Sequence, residues 1–171
     1  VGELAEASPR LFVNLSASPF AVGKRDARFA IAREVSARCG CPFLYCNLVG
    51  GNDGLVFDGE SFAMDAGGHF IGIAHAFAPD HLTVDTVAPT GAEIEPAERS
   101  EARSILEALC LGIRDFCGKL RIRKVAIGLS GGIDSAVTAA LAARALGPSA
   151  VIGVGMPSRY TRPESRRDSR E

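Results

Sequence analysis

Val125-Ala-Ile-Gly-Leu-Ser-Gly-Gly-Ile-Asp-Ser135 reads as an apolar strand that runs through a glycine-rich turn straight into a helix. Val125, Ala126, Ile127 and Leu129 supply the strand, and Ala136 to Ala145 form a strong helix-forming run. Between them Ser130, Gly131 and Gly132 carry no bulky side chain, so backbone N–H groups can approach an anion. A helix N-terminus adds unpaired N–H donors and about half a positive charge, which suits phosphate. Asp134 and Ser135 set a carboxylate and a hydroxyl beside that anion, a donor pair suited to magnesium held by phosphate oxygens.

Two commoner phosphate loops do not fit. A Walker loop needs Lys before its terminal Ser or Thr, and Asp134 fills that place. The dinucleotide fingerprint needs three spaced glycines, which neither Gly128 to Ile133 nor Gly153-Val-Gly155 supplies. The residues match Ser-Gly-Gly-x-Asp-Ser and so resemble the loop of the ATP pyrophosphatases, which cleave ATP between its α and β phosphates. The plainer reading is a strand-to-helix turn that happens to be glycine-rich.

At 171 residues the chain is long enough for one ordinary domain or parts of two. An apolar share of 47%, a charged share of 23% and a net charge of −1 indicate a soluble globular protein without a nucleic-acid-binding arm. No apolar run reaches the length of a membrane span, and no signal peptide opens the sequence, so a cytoplasmic location is expected. Val1 at the start and the charged Ser165 to Glu171 at the end suggest a fragment. Five cysteines, Cys39, Cys41, Cys46, Cys110 and Cys117, read as reduced thiols without zinc spacing, the last two as small buried helix residues. His69, His75 and His81 recur every six residues and meet no metal rule.

Along the chain, residues 1–8 read as the end of a helix stopped by Ser8-Pro9. Leu11 to Leu15 is a strand, Ser16 to Lys24 a small-residue loop, and Asp26 to Cys39 a helix. Phe29, Ile31, Ala32, Val35 and Ala37 lie on or near one face of that helix. Phe43 to Val49, Leu55 to Phe57, Ser61 to Met64, Phe70 to Phe77 and Leu82 to Val87 read as strands between glycine turns. Residues 89–97 are a polar linker. Glu98 to Lys119 is an amphipathic helix with Ile105, Leu109, Ile113 and Phe116 at helical spacing. Lys124 to Leu129, Ser135 to Leu146 and Ala150 to Met156 then give strand, helix and strand, a right-handed βαβ unit of a parallel sheet.

Taken together these segments resemble the glutamine-dependent NAD synthetases, on both sides of the linker. Val151-Ile-Gly-Val-Gly-Met-Pro-Ser-Arg-Tyr160 is similar to that family's second synthetase strand, and Leu111-Gly-Ile-Arg-Asp115 to the helix before its first. Asn14-Leu-Ser-Ala-Ser-Pro-Phe20, Gly23-Lys24, Tyr45 to Asp53 and Val56-Phe-Asp-Gly-Glu-Ser61 resemble the late part of a nitrilase-type glutaminase domain. The implied fold is α/β. The tail of an αββα nitrilase-type sandwich (1–88) precedes the first βαβ unit of a Rossmann-like adenine-nucleotide α-hydrolase sheet (98–171).

The resemblance implies two chemistries. A glutaminase releases ammonia from glutamine through a Cys thioester, supported by Glu and Lys. A synthetase adenylates deamido-NAD with ATP and Mg2+, and ammonia then displaces AMP. On this reading Gly128, Leu129, Ser130, Gly131, Gly132, Ile133, Asp134 and Ser135 hold ATP, Asp134 also holds the metal, and Ser18 and Lys24 contact glutamine. Homo-oligomers are implied, with no nucleic-acid or membrane partner. Without the resemblance Ser18 and Lys24 read as a solvated loop.

The departures are specific. None of the five cysteines matches the family's nucleophile, which falls before Val1 with the catalytic Glu and Lys. Arg162-Pro163 and Arg166-Arg167 replace a more acidic, alanine-rich run. Other amidating pyrophosphatases such as GMP synthetase pair the loop with different glutaminase folds, so Asn14 to Phe20 argues against them. A catalytically incomplete nucleotide- or partner-binding protein is the reading from another class. Two partial domains with exposed strand edges disfavour it as a stable product.

Overall fold

A computed structural model describes residues 5–88, 94–157 and 163–168. The chain falls into two compact units, Val1–Gly50 with Gly54–Ala108, and Gly51–Asp53 with Leu109–Glu171.

In the first unit β1 (Phe12–Ser16) leads through a loop into α1 (Lys24–Cys39), which returns the chain to β2 (Phe43–Asn47). β1 and β2 are parallel, with Phe12 opposite Phe43 and Ser16 opposite Asn47. β3 (Val49–Asn52) and β4 (Leu55–Asp58) form a separate two-stranded ladder. β5 (Phe62–Met64) and β6 (Phe70–Ile73) then join β2, giving the mixed order β1-β2-β5-β6. The ladders β2–β5 and β5–β6 are antiparallel.

The core lies between α1 and this sheet. Phe29, Ala32 and Val35 of the helix meet Phe43, Tyr45, Phe62, Met64 and Phe70. Phe29 presents its ring edge-on to Phe62 at 5.0 Å and to Phe70 at 4.9 Å, the favoured aromatic geometry. Ser36 is fully buried, and its hydroxyl lies within hydrogen-bonding reach of the Cys41 and Asp65 carbonyls. The alternation of β1 points Phe12 inward, while Val13 and Leu15 are left exposed.

Several sequence expectations shift for local reasons. Gly23, at φ 77°, lets α1 begin at Lys24 rather than Asp26, and Ile31 and Ala37 face solvent. The strand expected over Phe43 to Val49 is split at Leu48, although its N–H still bonds to the Ser16 carbonyl of β1. The ladder of β6 ends at Ile73, and Ala74 and Phe77 donate instead to Ser61 and Asp58 carbonyls. Leu82 to Val87 is not a strand. The Asp85 carboxylate accepts the Val87 and Ala88 N–H groups, a local turn that competes with a ladder and holds that carboxyl below its usual range. Of the expected first helix, Ala5 and Glu6 are helical and the turn at Ala7 ends it; residues 1–4 lie outside the described residues.

The second unit holds most of α2 (Glu101–Lys119), then β7 (Val125–Leu129), α3 (Ile133–Leu146), β8 (Val151–Gly155) and α4 (Pro163–Asp168). β7 and β8 are parallel from Val125 opposite Val151 to Leu129 opposite Gly155, as the βαβ reading requires. Helix α2 corrects the expected face: Ile105, Leu109 and Phe116 are exposed, and Ala108, Cys110, Leu111 and Cys117 are buried. Backbone comes close to the helix at Gly112. A Cβ on Gly51 would lie 3.3 Å from the Gly112 Cα, the Gly51 N–H donates to Asp115 at 2.7 Å, and Lys119 Nζ donates to the Gly51 carbonyl.

Cys110 and Cys117 are buried free thiols as expected, whereas Cys46 is exposed. Burial and the neighbouring Cys39 push the Cys41 thiol up, making it a poor nucleophile. His69 and His75 face the Asp65 and Asp80 carboxylates at 3.2 and 2.7 Å, and no metal cluster forms among the described residues.

Two outcomes follow from this packing. Phe62, 2% exposed among aromatic rings, costs about 3–5 kcal/mol on replacement by Ala, read as a lowered urea midpoint. At Asp65, burial works against the charge, but the N–H groups of His69 and Gly67 and the His69 ring hold its carboxyl below the ordinary range. Its contribution is therefore present above the unfolded value of about 3.9 and lost as pH falls through the folded one. Unfolding measured from pH 7 to pH 3 shows this loss, and Asp65→Asn removes that part of the slope.

Candidate functional site

The loop after β7 takes its shape from glycine and two hydroxyls. Gly131 sits at φ 77°, a left-handed conformation that costs little only without a Cβ. The Ser130 N–H donates to Ser135 Oγ at 3.2 Å, the Gly132 N–H donates to Ser130 Oγ at 3.2 Å, and Ser135 Oγ donates to the Gly132 carbonyl at 2.9 Å. These bonds close the turn on itself. Gly132 is an extended N-cap without a side-chain bond, so α3 begins at Ile133, two residues before the expected Ser135. Asp134 therefore lies in the first turn, exposed, where the helix end favours a nearby anion and a carboxylate can meet its counter-cation. The eight residues Gly128 to Ser135 are thus one strand end, turn and helix start, as read from the sequence.

The Gly131 Cα also faces α4 closely. A Cβ there would overlap the Ser165 backbone, so this position excludes any side chain on two counts. Tyr160 and Arg162 lie outside the described residues.

In the first unit the loop Ser16 to Lys24 brings Ser18 and Lys24 to one turn. Lys24 Nζ donates to the Pro19 carbonyl at 3.0 Å. The Ser18 N–H donates to Asn47 Oδ1 at 2.9 Å, and the Ser18 carbonyl accepts from Arg28 Nη2 at 3.1 Å. Arg28 Nη1 reaches Asp58 at 2.7 Å, and the Asn47 amide donates to Asp58 and to the Gly59 carbonyl. Asn47 and Asp58 are buried, and so is the Arg28 side chain. In the sequence Asn47 and Asp58 stand within recognisable motifs without a role of their own, and nothing marks Arg28.

Beside this turn lies a cavity of about 120 Å³, lined by Phe20, Gly23, Arg25, Glu60, Phe77 and Arg99, among others. Glu60 is buried at φ 53°; Arg25 Nε lies 3.0 and 2.9 Å from its two carboxylate oxygens, and Arg99 adds a contact at 3.5 Å. The strained backbone and the paired charges hold one wall of the cavity.

Comparison with known proteins agrees with the resemblance. Residues 105–171 match the family model described as NAD synthase. The glutamine-dependent NAD(+) synthetase of Synechocystis sp. is 39% identical over 171 residues, covering 98% of this chain and 31% of the relative. That of Xanthomonas campestris is 38% identical, over 94% of this chain and 30% of the relative. The solved glutamine-dependent NAD+ synthetase of Acinetobacter baumannii, in complex with ADP, superposes with a TM-score of 0.90 at 32% identity. It covers 99% of this chain and 33% of its own. The chain thus spans about a third of the length of the relatives it matches.

Gly131→Ala tests the loop directly. The left-handed conformation alone costs about 1–2 kcal/mol for a residue with a Cβ, and the Ser165 overlap adds to it. Hydrogen exchange at the Gly132 to Ser135 amides is expected to accelerate at least tenfold, with β1 and β2 unchanged.

Proposed function

We propose that residues 1–171 are a section of a glutamine-dependent NAD synthetase, a ligase that amidates deamido-NAD with ammonia taken from glutamine. The observation that carries this is similarity to that enzyme along 98% of the chain, on both sides of the 89–97 segment. The α/β architecture supports assigning 1–88 to the tail of an αββα nitrilase-type sandwich and 98–171 to the start of a Rossmann-like pyrophosphatase sheet. The exposed outer face of β1, with Val13 and Leu15, suits a second sheet packed against it. These domains differ from the compact units because Glu98 to Ala108 group with the first unit and Gly51 to Asp53 with the second.

On this reading the turn after β7 binds the ATP phosphates. Backbone N–H groups at the start of α3 and the small Gly131 and Gly132 admit the phosphates, and the Ser130–Ser135 bonds fix the turn before the nucleotide arrives. Asp134 would hold Mg2+, which when bound neutralises charge on the departing pyrophosphate. The exposed first-turn carboxylate fits that donor role.

Ser18 and Lys24 contact glutamine on the same reading: a hydroxyl and an ammonium at one turn suit the polar ends of an amino acid. A cytoplasmic homo-oligomer acting on small molecules completes the proposal.

Two experiments bear on it. In the full-length chain, Asp134→Ala lowers ATP-dependent amidation with added ammonia on the order of 10²-fold, partly recovered at high Mg2+; unchanged turnover removes the metal role. Residues 1–171 alone do not hydrolyse glutamine, because no cysteine among the five matches the family nucleophile. Release of glutamate by that segment overturns the domain assignment.

A further inference from the structure

We propose that Arg28, Asp58 and Asn47 are positioning residues that set glutamine affinity by fixing the Ser18–Lys24 turn, without touching glutamine themselves. The inference rests on the glutamine-binding reading of Ser18 and Lys24.

A single bridge of Pro19 to Phe57, with the Phe20 N–H bonded to the Val56 carbonyl, ties the turn to β4, and side chains hold the backbone at Ser18. β1 ends at Ser16, and Ser18 finds its partners in two other elements: its N–H bonds to Asn47 on β2 and its carbonyl to Arg28 on α1. Asp58, at the end of β4, accepts from both of those residues, at 2.7 Å from Arg28 and 3.3 Å from Asn47. The two clamps on Ser18 are therefore tied to each other. Arg28 Nη2 also lies 3.3 Å from the Pro19 carbonyl, the same oxygen that receives Lys24 Nζ. One guanidinium thus fixes the serine backbone and the acceptor on which the lysine ammonium rests.

The arrangement is expensive in stability terms. The Arg28–Asp58 pair has side chains 9% and 7% exposed, and Arg28 Nε is buried without a partner among the described residues. A buried ion pair contributes little net stability, and an orphaned buried donor subtracts from it. What the network supplies is geometry. A hydroxyl and an ammonium displaced by about 1 Å lose much of their bonding to a small polar ligand.

The test uses the full-length chain and measures glutamine-dependent glutamate release. Arg28→Met is expected to raise the glutamine KM about 10–100-fold with kcat changed less than threefold. Arg28→Lys, which keeps the charge but only one reach, falls between. Asp58→Asn preserves shape and is expected to raise KM about 3–10-fold, and it carries the test should Arg28→Met fail to fold. Ser18→Ala and Lys24→Ala are measured alongside. If they raise KM while the Arg28 and Asp58 variants do not, the network is structural only and the inference is overturned. If Ser18→Ala and Lys24→Ala leave KM unchanged, the glutamine-binding reading itself fails. A fall in kcat at constant KM in Asp58→Asn also overturns the inference, since it assigns the network to the chemical step.

Discussion

A strand that returns parallel to its predecessor has to be carried back by a crossover, and that constraint shapes both units. In each, a helix brings the chain back (α1 between β1 and β2, α3 between β7 and β8), so it must start at the carboxyl end of the first strand. The connection into it then sits at a strand end and beside a helix N-terminus. Both candidate binding loops occupy that connection: Ala17 to Gly23 before α1 and Ser130 to Gly132 before α3. Ligands of open α/β sheets collect at the same place.

The two connections are stabilised by different means. Around Gly131 the loop is self-contained: two serine hydroxyls bond to its own backbone, and a positive φ makes the bend. Around Ser18 the backbone depends on side chains contributed from 10 and 29 residues away. A self-contained loop carries its identity in one short stretch. A loop held from elsewhere distributes it.

That difference governs what could be read in the sequence. Val125 to Ser135 was legible because strand, bend, hydroxyls and helix are contiguous and each residue type has a local reason. Asn47, Asp58 and Arg28 had no such mark, since a polar residue on a helix or at a strand end ordinarily faces water, and only the fold brings them together. The face of α2 was misread for a related reason. Periodicity picks out Leu109 and Phe116, but the buried side of α2 carries Ala108, Cys110, Leu111 and Cys117. Leu82 to Val87 carried strand-forming residues, and the side chain of Asp85 satisfied the backbone first.

The β3–β4 hairpin has a bearing on protein engineering. Hairpin tips are the usual places to graft an epitope, a fluorophore or a permuted terminus, because exposed backbone there tolerates change. Beside that tip, within β3, Gly51 is anchored at its amide by Asp115 and at its carbonyl by Lys119, with glycine facing glycine across the gap to Gly112. Gly51 itself is closed to substitution, because a side chain gained there would need a compensating change on the helix opposite. Sequences descended from this one should therefore vary at the two positions together or at neither.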